Sequence, residues 1–383
     1  MKKFFLVMAV AALFFNACKK EEIQPEDDNQ SELSGLVPAG WDIQLVDSAA
    51  TGTDVADFNK IAVDKNKGVH ILYSVDAQDD YSLKYAYKPA GGNWSIETLN
   101  QTENNFDLYN GADFGITNTE IYIVYTDAQA NSQMHIVHKA IGSGSWQYEI
   151  FDGNSSARYP SVFVDVDNVV HIAYSHANYG QYYARYGDTG MQITTNGSYS
   201  HPDIVVDKDG VIHIFYADNN DLFSVYSTDN GANWIQNLIY NDDEIEKISA
   251  TVDTAGNISV GFSMNQLDNN VDFLYKPYGN SNFSVSKTNI NRVSRLQFEL
   301  ASDFAGRQYF TTYEYTDLYC LQFSEKDKAS SVWKHTLLMK DDNYRYGSVS
   351  CVAADKDAGI HISANGASNE VSNKLYYLNR ENF

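Results

Sequence analysis

Residues 201–239 read HPDIVVDKDGVIHIFYADNNDLFSVYSTDNGANWIQNLI, and this stretch decides the fold. Short runs rich in Val, Ile, Phe and Tyr are separated by DKDG (207–210), ADNND (217–221) and TDNG (228–231). Such runs favour extended backbone and such polar punctuation favours tight turns, so the unit reads as four antiparallel strands.

The parts recur along the chain. A first apolar run ends at an anchor aspartate: Asp64, Asp165, Asp207, Asp253, Asp303 and Asp355. A second follows a turn (VHILY, VVHIAY, VIHIFY, NISVGF, RQYFTTY, GIHISA), a third follows a polar loop, and a fourth usually begins at an aromatic: Trp94, Trp146, Trp234, Phe283 or Trp333. Residues 109–151 form a unit whose anchor aspartate is missing. Second runs begin near residues 69, 121, 169, 211, 257, 307 and 359, which makes seven units. A four-stranded sheet cannot bury both faces alone, but radial stacking buries them and leaves only short edges. The expected fold is therefore all-β, a seven-bladed propeller of four-stranded antiparallel blades. The last unit stops after KLYYLNRENF, one strand short, and WDIQLVDS (41–48) resembles the fourth run WSIETLNQ (94–101). The N-terminal strand is thus expected to complete the last blade.

The chain ahead of the repeats reads as an address. Residues 1–17, MKKFFLVMAVAALFFNA, combine two lysines with an apolar run too short to span a bilayer, and Cys18 follows. A small residue before a cysteine at this distance resembles a bacterial lipobox, which implies cleavage before Cys18 and lipidation of its thiol. The KKEE run behind it resembles export signals of surface lipoproteins in Bacteroidetes-type bacteria. The resemblance implies an outer-membrane lipoprotein facing the cell exterior or the periplasm, held to the membrane through the Cys18 lipid only. Residues 18–39 are expected to be a flexible tether and 40–383 the propeller.

Composition narrows the partners. Lys+Arg 27 against Asp+Glu 50 gives a formal charge of −23, which disfavours nucleic acid and other polyanionic surfaces. Three cysteines exclude a four-cysteine zinc site; Cys320 and Cys351 are expected as buried thiols on adjacent blades, with a disulfide between them the alternative that an oxidising envelope permits. A monomer is expected.

STDNGANW (227–234) resembles the Asp-box of sialidase-like (BNR-repeat) propellers, Ser/Thr-x-Asp-x-Gly-x-x-Trp. The resemblance, in which Ser227 fills the first position, implies that Asp229 bonds backbone in the turn between third and fourth strands, that Gly231 takes a positive φ, and that Trp234 packs between blades. This motif speaks for fold and barely for function.

His70, His171, His213 and His361 each stand six residues after an anchor aspartate. Identical slots in different blades cannot converge on one ion, so these are expected to be structural. The Asp-x-Asp/Asn sequences at the anchors lack the closing Glu of a calcium loop and read as turn chemistry. No metal or other cofactor is expected, although a structural calcium elsewhere stays open.

The functional expectation rests on arginine. Arg158, Arg292, Arg295 and Arg345 fall before first strands, in loops that share a face with the loops between second and third strands. Tyr109, Tyr159, His201 and Tyr346 lie around them, and the second-to-third loops add His176, Tyr179, Glu314 and Tyr315. Guanidinium forks suit carboxylate or sulfate and aromatic faces suit sugar rings, so an acidic glycan is the expected ligand. Arginines paired with nearby acids such as Asp341 and Asp342 are an equal alternative. Three functions remain open: a glycan-binding propeller, a polysaccharide lyase or sialidase-like glycosidase, and a protein-interaction scaffold. A sialidase role would cast Arg158, Arg295 and Arg345 on a carboxylate and Glu314 with Tyr313 or Tyr315 as nucleophile pair. The N-terminal Arg-Ile-Pro signature of sialidases is absent, and seven units differ from their six. A lyase role would draw on His176, His201 and Tyr179 as base and acid.

Overall fold

The computed structural model describes residues 21–22, 33–50, 53–77, 81–99, 106–108, 111–128, 133–152, 156–177, 180–195, 200–241, 245–264, 271–288, 299–314, 320–328, 330–340, 344–368 and 371–381. Its strands form seven antiparallel sheets set in a ring. Blade 1 runs from its innermost strand Asp54–Val63 through Val69–Asp76 and Tyr81–Lys88 to Ser95–Thr98. The first strands of blades 2 to 7 are Ala112–Ile116, Ala157–Val164, Asp203–Val206, Ile245–Val252, Glu299–Ser302 and Tyr344–Ala354. Asp42–Ser48 pairs with Val371–Arg380, so the N-terminal strand closes blade 7 as the sequence pattern requires. Glu21–Glu22 adds a two-residue strand to the outer edge of blade 1. Packing begins ahead of residue 40: Leu33, Leu36 and Val37 rest on the core beneath blades 6 and 7, and Met339 N donates to Leu36 O at 2.8 Å. The described end of the stretch expected to be tether is docked there because Leu33, Leu36 and Val37 find a hydrophobic seat. Among the described residues no helix is long and apolar enough to cross a membrane.

Each anchor aspartate builds the turn that follows it. Asp64 Oδ1 accepts the amides of Asn66 (2.7 Å) and Gly68 (2.8 Å), and Asp165, Asp207, Asp253, Asp303 and Asp355 repeat the arrangement. Blade 2 uses Thr117 instead, whose Oγ1 accepts Glu120 N at 2.9 Å. The second carboxylate oxygen faces the histidine six residues on: His70 Nε2 stands 3.2 Å from Asp64 Oδ2, while Tyr85 Oη lies 2.6 Å from His70 Nδ1. Asp165–His171–Tyr183 and Asp355–His361–Tyr377 repeat this triad. These histidines are structural, joining a turn to a third strand. Burial opposes the charge of Asp64, but His70 and the turn amides outweigh it and hold the carboxyl below its ordinary range.

Where an aromatic opens the fourth strand, as in every blade but the third, it staples its blade to the one before. Ring centroids lie 5.3 Å apart for Trp94–Tyr377, 5.3 Å for Trp146–Tyr85, 5.1 Å for Trp234–Tyr183 and 5.1 Å for Trp41–Phe323. At residues 227–234, Gly231 adopts φ 88°, its amide donates to Ser227 Oγ at 2.8 Å, and Asp229 Oδ1 accepts Asn233 N at 2.8 Å. Trp234 Nε1 donates to Gly231 O at 3.0 Å. Cys320 and Cys351 are free, buried thiols.

Candidate functional site

The innermost strands line a central channel, and their polar residues obey one rule. Counting back four from each anchor (Thr117 in blade 2) gives Lys60, Asp113, Ser161, Asp203, Ser249, Glu299 and Cys351. Several of these side chains stitch their blade to the next. Asp113 Oδ2 accepts Val162 N (2.8 Å), Ser161 Oγ accepts Ile204 N (3.3 Å), Asp203 Oδ2 accepts Ala250 N (2.6 Å) and Ser249 Oγ accepts Leu300 N (3.0 Å). The ring is a seam, and its charged members also form an ionic centre. Lys60 Nζ donates to both carboxylate oxygens of Glu299, across the channel, at 2.9 Å and lies 3.9 Å from Asp113 Oδ1. These three side chains are only 14–21% exposed.

Enclosure sets the charge states. Burial opposes the Lys60 charge, yet Glu299 and Asp113 outweigh it and raise its pKa well above the ordinary lysine value. Burial, reinforced by Glu299, pushes Asp203 up to about 6. Burial also raises Asp113.

Two residues nearer the mouth, blades 3, 4 and 5 present Tyr159, His201 and Lys247. A bulge between Arg158 and Ser161 puts Tyr159 at φ 53°, a region costly for an aromatic residue. The bulge aims the ring onto His201, with centroids 3.8 Å apart and planes 30° from parallel. A second bulge, between Ile245 and Lys247, turns Lys247 into the same mouth. Burial, then the Lys60 charge, lowers the Lys247 pKa. Burial, then the Lys247 and Lys60 charges, pushes His201 down to about 3, so its imidazole is neutral at ordinary pH. The mouth therefore offers a stacked aromatic pair, an uncharged imidazole and two ammonium groups.

Of the arginine–tyrosine patch read from the sequence, the structure brings together Tyr159 and His201, with Arg158 next to Tyr159 in the chain. Arg158 and Arg345 sit at the start of innermost strands, paired with Ser175 and Ala367, rather than in entering loops. His176 is buried inside blade 3, its Nδ1 3.3 Å from Ala177 O and its ring 5.4 Å from Tyr182, so it does not stand free as an acid or base at the surface. Glu314, Arg345 and Tyr346 are described by their backbone alone, at strand ends. Tyr109, Tyr179, Arg292, Arg295, Tyr315 and Cys18 lie outside the described residues. Sequence reading missed Lys60, Asp113, Asp203, Lys247 and Glu299. The signal existed: a polar or charged residue precedes the apolar run of six of the seven blades, as in KIAVD, DIVVD and ELASD. Starting each run at its first apolar residue hid it. Among the described residues, no group of three or more His, Cys, Asp or Glu side chains is arranged to hold a metal ion.

No protein-family model matches the chain, and no curated protein matches it. Solved structures do. An ulvan lyase of a new polysaccharide lyase family, bound to a GlcA(1-4)Rha3S sugar, aligns with TM-score 0.58 and 11% identity over 88% of this chain and 94% of its own. The polysaccharide lyase Uly1 aligns with TM-score 0.54 and 13% identity over 84% and 89%. The sialidase of Trypanosoma rangeli, solved with the inhibitor DANA, aligns with TM-score 0.52 and 9% identity, over 90% of this chain but 60% of the sialidase. At such identities the likeness is one of fold: this chain is built as the propellers of glycan-active enzymes are.

Proposed function

We propose that the channel mouth binds an acidic glycan. The observation that carries this reading is the Tyr159–His201 stack, held by a strained bulge beside Lys247 and Lys60. Flat rings suit the C–H face of a sugar, and enclosed ammonium groups suit its carboxylate or sulfate. The glycan-active neighbours support the same class of ligand. The test is binding of the purified chain to uronate-bearing and sulfated polysaccharides alongside neutral ones. Tyr159→Ala and Lys247→Met are expected to weaken binding to the acidic polymers selectively; equal binding to neutral polymers, or no effect of either substitution, sinks the proposal.

A lyase reading is favoured by one observation, the neutral His201 against the Tyr159 ring. His201 would take the C5 proton of a uronate, the C4–C5 double bond would form as the C4–O bond breaks, and Tyr159 would protonate the leaving oxygen. An imidazole held near 3 is a weak base until an anion binds beside it and raises its pKa. Near-ultraviolet absorbance from unsaturated uronate would show this activity, and its loss in His201→Ala would assign the base. The cell-surface role rests on Cys18: we propose that the mature protein starts there, lipid-anchored to the outer membrane, and the mass of the processed N-terminal peptide tests it.

A further inference from the structure

A cleft of about 780 Å³ opens between blades 4 and 5, at the end carrying the anchor turns and away from the channel mouth. Its counterpart between blades 1 and 2 measures about 200 Å³. Strand register aligns the two. In the smaller cleft Lys139 is clamped: its Nζ donates to Glu97 at 2.6–2.7 Å and lies 5.1 Å and 4.6 Å from the rings of Tyr85 and Trp146. In the larger cleft the same lysine is Lys276, but three walls differ. Ser224 stands where Tyr85 stands, Asn237 replaces Glu97, and Phe283 replaces Trp146. Among the described residues Lys276 makes no ion pair; its Nζ lies 6.0 Å from the Phe283 ring.

The missing tyrosine also breaks a triad. His70, His171 and His361 are each closed by a tyrosine hydroxyl within 2.6–2.8 Å. At the aligned position Ser224 stands where a tyrosine would meet His213 Nδ1, so the ring lines the cleft, while its Nε2 still faces Asp207 Oδ2 at 3.5 Å. Asp207 Oδ1 accepts its turn amides, and Oδ2 faces His213. The cleft thus offers the Lys276 side chain, which feels the Asp207 charge but makes no ion pair among the described residues, an imidazole, the amides of Asn237 and Asn282, the Ser224 hydroxyl and the Phe283 ring, within the size range of ligand sites.

We infer that this cleft is a second glycan site, taking one or two sugar units that carry a single carboxylate or sulfate, with the anion on Lys276, the hydroxyls on the amides and a sugar face on Phe283. It is separate from the channel mouth and stands whether or not that mouth binds. The test uses the purified full chain with three probes: glucuronate, glucose sulfate and glucose. Binding is followed by ligand-observed NMR and by the His213 ring resonances. The charged probes are expected to bind and to shift His213, with glucose about ten- to a hundredfold weaker, the worth of one charge-assisted contact. Glucuronate and glucose sulfate together separate a carboxylate from a sulfate preference. Ser224→Tyr is expected to refill the cleft and abolish binding while keeping the melting temperature. Lys276→Gln is expected to bring the charged probes down to glucose, and it decides the matter if Ser224→Tyr does not fold. His201→Ala is expected to change nothing here. Binding that survives Ser224→Tyr, binding lost in His201→Ala, or no His213 shift with any probe would each overturn the inference.

Discussion

Lys60→Met removes the hub of the channel. Its ammonium is 2.9 Å from both Glu299 oxygens, and the pair is about four-fifths enclosed. At an effective dielectric constant of about 20, two unit charges at that distance attract by about 6 kcal/mol before desolvation is subtracted. Breaking such a pair from one side strands the other charge, and the expected loss of stability is about 3–5 kcal/mol. Removing Glu299 as well should return much of it, because no stranded carboxylate remains at that position. The assay is urea unfolding at neutral pH of the wild type, Lys60→Met, Glu299→Leu and the double variant, read as a double-mutant cycle. A coupling energy of about 2 kcal/mol or more is expected. Lys60 also lowers the pKa of Asp203 and of Lys247, so both should rise in Lys60→Met. A loss under about 1 kcal/mol, or a double variant as weak as the sum of the singles, would refute the ionic centre and leave only a lined pore.

His201 supplies a pH signature. Its folded pKa, near 3, lies below the ordinary histidine value of 6.5, so the unfolded chain takes up the proton first as pH falls. The contribution is complete above about pH 6.5 and is lost on descent towards 3, to a limit of about 5 kcal/mol; wild type and His201→Ala compared by unfolding between those values measure it. Asp203, raised to about 6, acts oppositely, losing stability as pH rises through that value, so Asp203→Asn should gain on the wild type near neutrality if its seam bond is kept. Trp41 is 8% exposed and closes the ring against Phe323. Trp41→Ala should cost about 3–5 kcal/mol by chemical unfolding, whereas Leu238→Ala on the exposed outer strand should stay within about 0.5. A methyl at Gly115 would stand 2.7 Å from Val164 Cγ2 and 2.9 Å from Val162 Cγ1, where blades 2 and 3 meet, so Gly115→Ala should lower stability by about 1–3 kcal/mol in the same assay.

The period of the apolar runs, the anchor aspartates, the aromatic opening most fourth strands and the likeness of residues 41–48 to 94–101 were enough to specify seven closed blades. Each of these marks recurs within its own repeat: a carboxylate caps the turn that follows it, and the aromatic that packs on the blade before holds a fixed place at the start of the fourth run. Even the substitute anchor Thr117 does its work within three residues. The site obeys no such limit. Lys60 and Glu299 are 239 positions apart, and only the circular path of the backbone sets them face to face. Tyr159 reaches His201 because a bulge rotates it, and a bulge leaves no mark in hydrophobic alternation. The open cleft depends on comparing one lysine's surroundings with another's across five blades. Sequence by itself determined the petals and their order, because their forces act between neighbours; the ring decided which charges meet, because convergence on an axis is a property of the whole closed circle.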